Sequence, residues 1–332
     1  MRTKALWAKE YRSAKWIVWL MPILHFLSLG LPRMNEWLLA DEDRVARNLG
    51  IYNDLLYGPY DNGSLESGAR LLLALAALVL TLIQLGAERR NGTQELLFSL
   101  PYGRWAVFGT KWLFGVSAIA AASAIGFGID MLVVAISPMS AYFDAGYHAS
   151  QFVYTVLAVA AVYSLWMWIG TITGSLASQA FLLLLLWILP TGITFLIDHL
   201  LSVHGVTDGY FDHYWYLEDF NSLFGYLALP FAKFHPLRAA VLSALLTISF
   251  LGGVYAYERN RTENNGKLVL FPGWERVLVV CFVVCFTMLW GLFGTIMLRF
   301  GTPAISYYIG AAIGFAVGLS LIRRLTRLRL KI

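Results

Sequence analysis

Apolar and polar stretches alternate along this chain on a scale longer than the periods of a soluble fold. Eight apolar runs stand out, at about residues 16–31, 70–87, 105–137, 151–172, 179–200, 236–257, 276–298 and 303–322. A helix needs about 20 residues to cross the hydrocarbon core of a bilayer, so each run predicts a membrane-spanning helix. The first run is short and contains Pro22 and His25. The third exceeds the bilayer thickness at about 1.5 Å per residue, so its start, residues 105–112, is expected at the interface. Residues 1–15 carry Arg2, Lys4, Lys9, Arg12 and Lys15, with Trp7, Tyr11 and Ala14 at helical spacing. That pattern predicts an interfacial amphipathic helix leading into the first span. A secretory signal also begins with a basic segment before an apolar one. Here Leu31-Pro32-Arg33 stands where a small-residue cleavage site is needed, so the segment is expected to be retained. The expected fold class is an all-α polytopic membrane protein forming one transmembrane domain over 1–332. Its parts are an N-terminal elbow helix (1–15), a six-helix core (16–257), a loop (258–275), and two additional spans with a basic tail (276–332).

Composition supports this reading. Of 332 residues, 58% are hydrophobic and 14% charged, with mean hydropathy +0.64, more apolar material than a soluble core consumes. The net charge of +5 does not describe a nucleic-acid surface, because the basic residues gather at the edges of the apolar runs. With both termini cytoplasmic, most of the 25 Lys and Arg residues lie on the inner side. The outer side keeps Arg33, Arg44, Arg47, Arg70, Lys233, Arg238 and Arg299. The positive-inside bias therefore predicts an even number of spans with both ends in the cytoplasm. Of the outer loops, 32–69 is acidic and 201–235 is rich in aromatics, including Tyr210, Phe211, Tyr214, Trp215, Tyr216, Phe220, Phe224 and Tyr226. The second is expected to fold back on the membrane surface as short interfacial or re-entrant helices. Gly310, Gly314 and Gly318 form a stripe along the last span that permits close helix packing. Cys281 and Cys285 lack metal or redox spacing and read as packing residues.

One polar stretch reads as a device. Residues 88–104, E-R-R-N-G-T-Q-E-L-L-F-S-L-P-Y-G-R, separate the second and third runs. Gly92 and Thr93 offer a helix start, with the Thr hydroxyl as a cap. Glu95 falls in the first turn, where a negative charge suits the helix dipole. Leu96, Leu97 and Leu100 supply an apolar face, and Pro101 with Gly103 ends the helix. A helix this short is not stable alone. A groove on a partner protein is one candidate for what holds it.

Recognised catalytic patterns are absent. Asn265-Gly266-Lys267-Leu268 lacks both the upstream glycine and the hydroxyl of a P-loop; H-E-x-x-H and G-x-S-x-G do not occur, and Gly115-Val116-Ser117-Ala118 is a small-residue patch. Ionisable residues within the runs are few: His25, Asp130, and Lys111 and Glu258, placed to snorkel toward the inner interface. No chain of buried acids suggests a proton relay, so a self-energised pump is disfavoured. Three classes remain. The first is a transporter subunit driven from outside. The second is an embedded enzyme acting on lipids or polyprenyl carriers, with His199, His204 and His213 beside Asp198, Asp208 and Asp212 as its polar cluster. Those residues are also the candidate metal ligands, against a reading as wet loop residues. The third is a sensor or anchor whose short helix recruits a partner.

Glu88, Gly92-Thr93, Glu95, Leu97, Leu100-Pro101, Arg104 and Lys111 together resemble E…G-T-x-E-x-L…L-P…R…K, the pattern that follows the second span in ABC-2 type permeases. These are the membrane subunits of type V ABC exporters. Tyr257-Glu258-Arg259 through Glu263-Asn264-Asn265-Gly266 looks like a subgroup from Gram-positive cell-envelope operons. The spans after residue 275 depart from the usual six, and Tyr102-Gly103 replaces a Val-Ser type pair. The resemblance implies a bacterial plasma-membrane protein that exports an amphipathic or hydrophobic substrate. It also implies a partner ABC ATPase dimer that carries ATP and Mg, none of it held by this chain, and a second permease copy or paralogue. Membrane lipid is the remaining partner, and nucleic acid is not one. On this reading 92–100 is the coupling helix, Leu96, Leu97 and Leu100 enter a groove of the ATPase, and Glu88, Arg89, Arg90 and Glu95 make charge contacts.

Overall fold

A bilayer offers no water to satisfy backbone N–H and C=O groups, so each apolar run must pair its own backbone. The computed structural model describes residues 3–53, 64–206, 223–228, 236–260, 263, 265–298 and 301–325. Among them, eight helices are long and apolar enough to cross a membrane. In chain order the helices are α1 (Thr3–His25), α2 (Leu31–Trp37), α3 (Glu42–Asn53), α4 (Ser64–Thr81), α5 (Glu88–Arg90), α6 (Thr93–Ser99), α7 (Arg104–Ile136), α8 (Ala145–Ile172), α9 (Leu176–Val203), α10 (Leu223–Ala228), α11 (Pro236–Glu258), α12 (Pro272–Met297) and α13 (Pro303–Leu325). Two π-helical segments, Phe26–Gly30 and Leu82–Ala87, continue α1 into α2 and α4 into α5.

The N-terminal segment does not form a separate elbow. It is the first half of α1, which runs on through Pro22 and into the π segment, two common sites of helix irregularity. No glycine or proline breaks the chain between Thr3 and Met21. Glu10, Ala14, Ile17 and Met21 are buried at helical spacing, so one face of this segment packs on protein rather than on the membrane surface. Residues 105–112 belong to the same uninterrupted helix as the rest of the third run, and Val107, Phe108 and Lys111 are buried against the protein.

The chain groups into two compact units, the first Met1–Thr171 with Phe224–Arg259, the second Ile172–Leu223 with Asn260–Ile332. In the first unit α1 packs on α4 and α7, and α11 packs on α7. Leu29, Ala69 and Phe127 meet in a buried cluster. The His25 ring lies edge-on to Phe127 at 5.2 Å. Phe108 stacks obliquely on Phe250 at 6.1 Å and on Tyr257 at 5.6 Å.

In the second unit α12 and α13 form a hairpin whose backbones nearly touch. A Cβ on Gly310 would lie 2.9 Å from the Gly294 Cα, and one on Gly318 would lie 3.0 Å from the Phe286 ring. Gly314 faces Trp290 in the same row. The stretch following α11 is not a free loop: Val269 pairs with Thr173 in an antiparallel bridge. The Gly266 N–H donates to the Gly174 carbonyl at 2.8 Å and the Leu270 N–H to that of Ile172 at 2.8 Å. Of the aromatic loop 201–235, α10 is described, with Tyr226 and Leu227 buried. Residues 207–222 and 229–235, and the basic tail 326–332, lie outside the described residues.

Candidate functional site

Gly92 leaves α5 with φ +69°, a left-handed conformation that costs glycine little and other residues more, and α6 starts at the next residue. Thr93 is therefore already inside the first turn and does not cap the helix. Its hydroxyl donates instead to the Glu88 carbonyl at 3.2 Å. Leu100, extended at φ −77° and ψ 154°, ends the helix, as the residue before a proline tends to do.

One side of α6 is tied down. Gln94 is buried and accepts from Arg89 Nε at 3.2 Å. Arg89, itself buried, reaches the Thr171 carbonyl with Nη2 at 3.5 Å. Leu97 is buried and so does not belong to an apolar face open to a partner. Phe98 sets its ring against the edge of Tyr257 at 5.3 Å. The Arg104 guanidinium lies 4.3 Å over the Phe98 ring and donates from Nη1 to the Glu258 carbonyl at 2.9 Å. The other side is open: Leu96 is 64% and Leu100 40% exposed, and Glu95, Ser99 and Pro101 are exposed beside them.

Beneath α6 lies an ion cluster that the sequence reading missed. Lys111 does not snorkel. Its ammonium is buried and donates to Glu10 Oε1 at 2.7 Å, Glu88 Oε1 at 2.5 Å and the Gln84 carbonyl at 3.1 Å. Lys9 pairs with Glu10 at 2.9 Å and also with Glu88. The Gln84 side chain donates to the Lys111 carbonyl at 3.0 Å and accepts from Tyr163 at 2.6 Å. Gln84 belongs to the π segment that joins α4 to α5 and Glu88 follows directly after it, and such segments are frequent at functional sites. Two carboxylates against two ammoniums make the cluster neutral, as burial requires.

A second cluster occupies the other end of the same helices. Arg33 donates from Nη2 to Glu66 at 2.8 Å and from Nε to Asp130 at 3.2 Å, all three side chains buried. His148 Nδ1 lies 3.2 Å from the free oxygen of Asp130's pair, Oδ2. The Tyr147 hydroxyl points to Glu66 at 3.4 Å. Arg70 spans to Gln151 at 3.0 Å and to the Leu227 carbonyl at 3.1 Å, with Tyr154 facing its guanidinium at 5.2 Å. The expectation of few buried charges is thus corrected. Glu10, Glu66, Glu88 and Asp130 are all buried, and each is paired with a cation. For Glu10, Arg33, Glu66 and Glu88 the sequence signal is a charge just beyond the end of an apolar run, which reads equally as a wet flank.

The described histidines do not gather. In the second unit His199 Nε2 lies 3.1 Å from the Thr295 hydroxyl and His204 Nε2 2.9 Å from that of Tyr308. Among the described residues no three His, Cys, Asp or Glu side chains could hold a metal ion. His213, Asp208 and Asp212 lie outside the described residues.

Comparison with known proteins gives this geometry a context. Residues 9–204 match the family described as ABC-2 family transporter protein. The chain is 24% identical over 331 residues to the probable ABC transporter permease YtrD of Bacillus subtilis (strain 168), covering 96% of each chain. It is 28% identical over 230 residues to the probable ABC transporter permease YtrC of the same organism, covering 65% of this chain and 68% of that one. The matched segment begins at the Lys9–Glu10 pair and includes α6 and both ion clusters.

Proposed function

The chain belongs to the ABC-2 family of transporters as a multi-pass membrane permease subunit, and we propose that it takes its energy from a separate ATPase that grips α6. The observation that carries this is the asymmetry of α6. A helix of two turns, too short to hold itself, is fixed along one side by Arg89, Arg104 and Tyr257, while Leu96 and Leu100 face outward. Exposed leucines beside an acidic residue form a small apolar knob with a charged rim, the composition of a docking contact. Leu97, being buried, supports the helix from within, so Glu95, Leu96 and Leu100 are the contact residues.

In this reading an ATPase dimer binds ATP and Mg, and two permease chains, identical or paralogous, form the conduit in a bacterial plasma membrane. Both termini and α6 lie on the cytoplasmic face, where the ATPase is. ATP-driven closure of the ATPase displaces α6, and the buried cluster at Lys111 passes that displacement to α1, α4 and α7. The cargo is amphipathic or hydrophobic and moves outward. The runs between the two ion clusters are apolar, which suits such a cargo better than a small ion.

Purification of the complex in mild detergent tests the reading. The wild-type chain is expected to retain an ATPase, and Leu96→Asp to lose it while inserting normally. Retention by Leu96→Asp at the wild-type level refutes α6 as the grip.

A further inference from the structure

Both ion clusters are built on the same three helices. The α1 segment carries Glu10 at one end and, through its π segment and α2, Arg33 at the other. The α4 segment carries Glu66 and, through its π segment into α5, Glu88. A single helix, α7, holds Lys111 and Asp130. By helical rise the two members lie about 28 Å apart on α7 and roughly 33 Å apart on the other two. That matches the roughly 30 Å hydrocarbon thickness of a bilayer. The three segments are therefore joined at both ends: next to α6 Lys111 and Lys9 bridge all three, and at the far end Arg33 joins the α1–α2 segment to α4 and to α7.

Packing continues inward from the far tie. Leu29, Ala69 and Phe127, one from each segment, form a shared core. His25 of α1 rests on Gly126 of α7 so closely that a Cβ there would come within 2.8 Å of the ring's Cγ. Three parallel rods tied at one end splay when one is pushed; tied at both ends and packed between, they swing together. The far tie is also the more rigid in kind, because Arg33 directs two separate N–H groups at two carboxylates on different helices.

We propose that α1–α2, α4–α5 and α7 form one strut, and that the Arg33–Glu66–Asp130 cluster positions its far end, so that displacement of α6 arrives across the membrane undiminished. This rests on the proposed docking of an ATPase on α6. Arg33, Glu66 and Asp130 are then positioning residues for transport, although they lie a full membrane thickness from the docking helix.

The test needs no knowledge of the cargo. In a chain with Cys281 and Cys285 replaced by serine, Leu39→Cys, which is 66% exposed just past α2, carries an environment-sensitive dye. His25→Cys with Gly126→Cys supplies a disulfide between α1 and α7, since the Gly126 Cβ position is close enough to the His25 side chain to be bridged. The complex with its ATPase is reconstituted, and the ATP-dependent change in dye emission is read with the disulfide closed and after reduction by a phosphine. A strut predicts that the disulfide forms and that the two signals agree within about twofold. It also predicts that Arg33→Lys without the disulfide lowers the signal about fivefold, in the range of remote coupling effects, and that closing the disulfide restores it. A signal abolished by the closed disulfide and recovered on reduction shows that α1 and α7 move past each other, and overturns the strut. So does failure of the disulfide to form, or an unchanged signal in Arg33→Lys. If the reduced wild-type background captures no ATPase, the docking reading fails first, at the purification step and before any dye is read.

Discussion

The two buried clusters face the same difficulty, two carboxylates placed where water is excluded, and answer it with different cations. Next to α6 the partners are lysines, Lys111 buried and Lys9 about one-third exposed, sharing Glu10 and Glu88 between them. At the far end one arginine holds Glu66 and Asp130 by separate arms of its guanidinium. An ammonium is a compact charge on a rotatable stem and tolerates changes in partner direction; a guanidinium is a planar fork that does not. The cluster beside the proposed moving helix is thus adjustable and doubly supplied with ammoniums, whereas the remote one is directional, with one guanidinium reaching both helices. Burial alone does not make such pairs stabilising, since desolvation opposes the Coulomb gain. The difference lies in what is stranded when one member is lost.

That contrast yields predictions of decreasing size. Arg33→Leu takes the guanidinium from two buried carboxylates, leaving Asp130 with His148 and Glu66 with the Tyr147 hydroxyl, and is expected to cost about 3–5 kcal/mol, the usual penalty for breaking a buried pair from one side. Thermal unfolding in detergent should show it as the largest loss of the series. Lys111→Met leaves Lys9 still in contact with Glu10 and Glu88 and should cost less, about 2–3 kcal/mol. A larger loss for Lys111→Met than for Arg33→Leu would break the comparison. Gly115→Ala sharpens it from the side of packing. A Cβ there falls within 2.7 Å of the Tyr163 ring and pushes its hydroxyl off Gln84, for about 1–3 kcal/mol of overpacking. Leu96→Asp, on the open side of α6, should stay within about 0.5 kcal/mol of wild type. Its effect belongs to ATPase capture and not to stability, so a clear drop in unfolding temperature would show that the open side is not open.

Much of the architecture was legible in the sequence, and the particular gaps have particular causes. The spans, the start of α6 at Gly92 and its end before Pro101 follow from local rules: the length of an apolar run, the conformations open to glycine, the restriction a proline places on its neighbour. Leu96, Leu97 and Leu100 looked equivalent because spacing assigns residues to a helix but not to a side of its surroundings. Only the position of α11 and Tyr257 shows that α6 turns Leu97 inward and leaves the other two out. The N-terminal segment is ambiguous in sequence for a similar reason. A basic, amphipathic start fits an interface equally well whether the interface is lipid or protein, and Glu10 reveals the second only once Lys111 is opposite it.

The sequence by itself determined that this chain crosses a membrane several times as helices, because a bilayer leaves an apolar run no other way to satisfy its backbone. It also determined where one short polar helix interrupts those crossings. Tertiary structure alone decided which charges are structural. Lys9, Glu10, Arg33, Glu66 and Arg70 stand at the ends of apolar runs, where solvation and ion pairing leave the same trace in sequence. Coulomb attraction acts through space between helices far apart along the chain, and no local pattern records who the partner is.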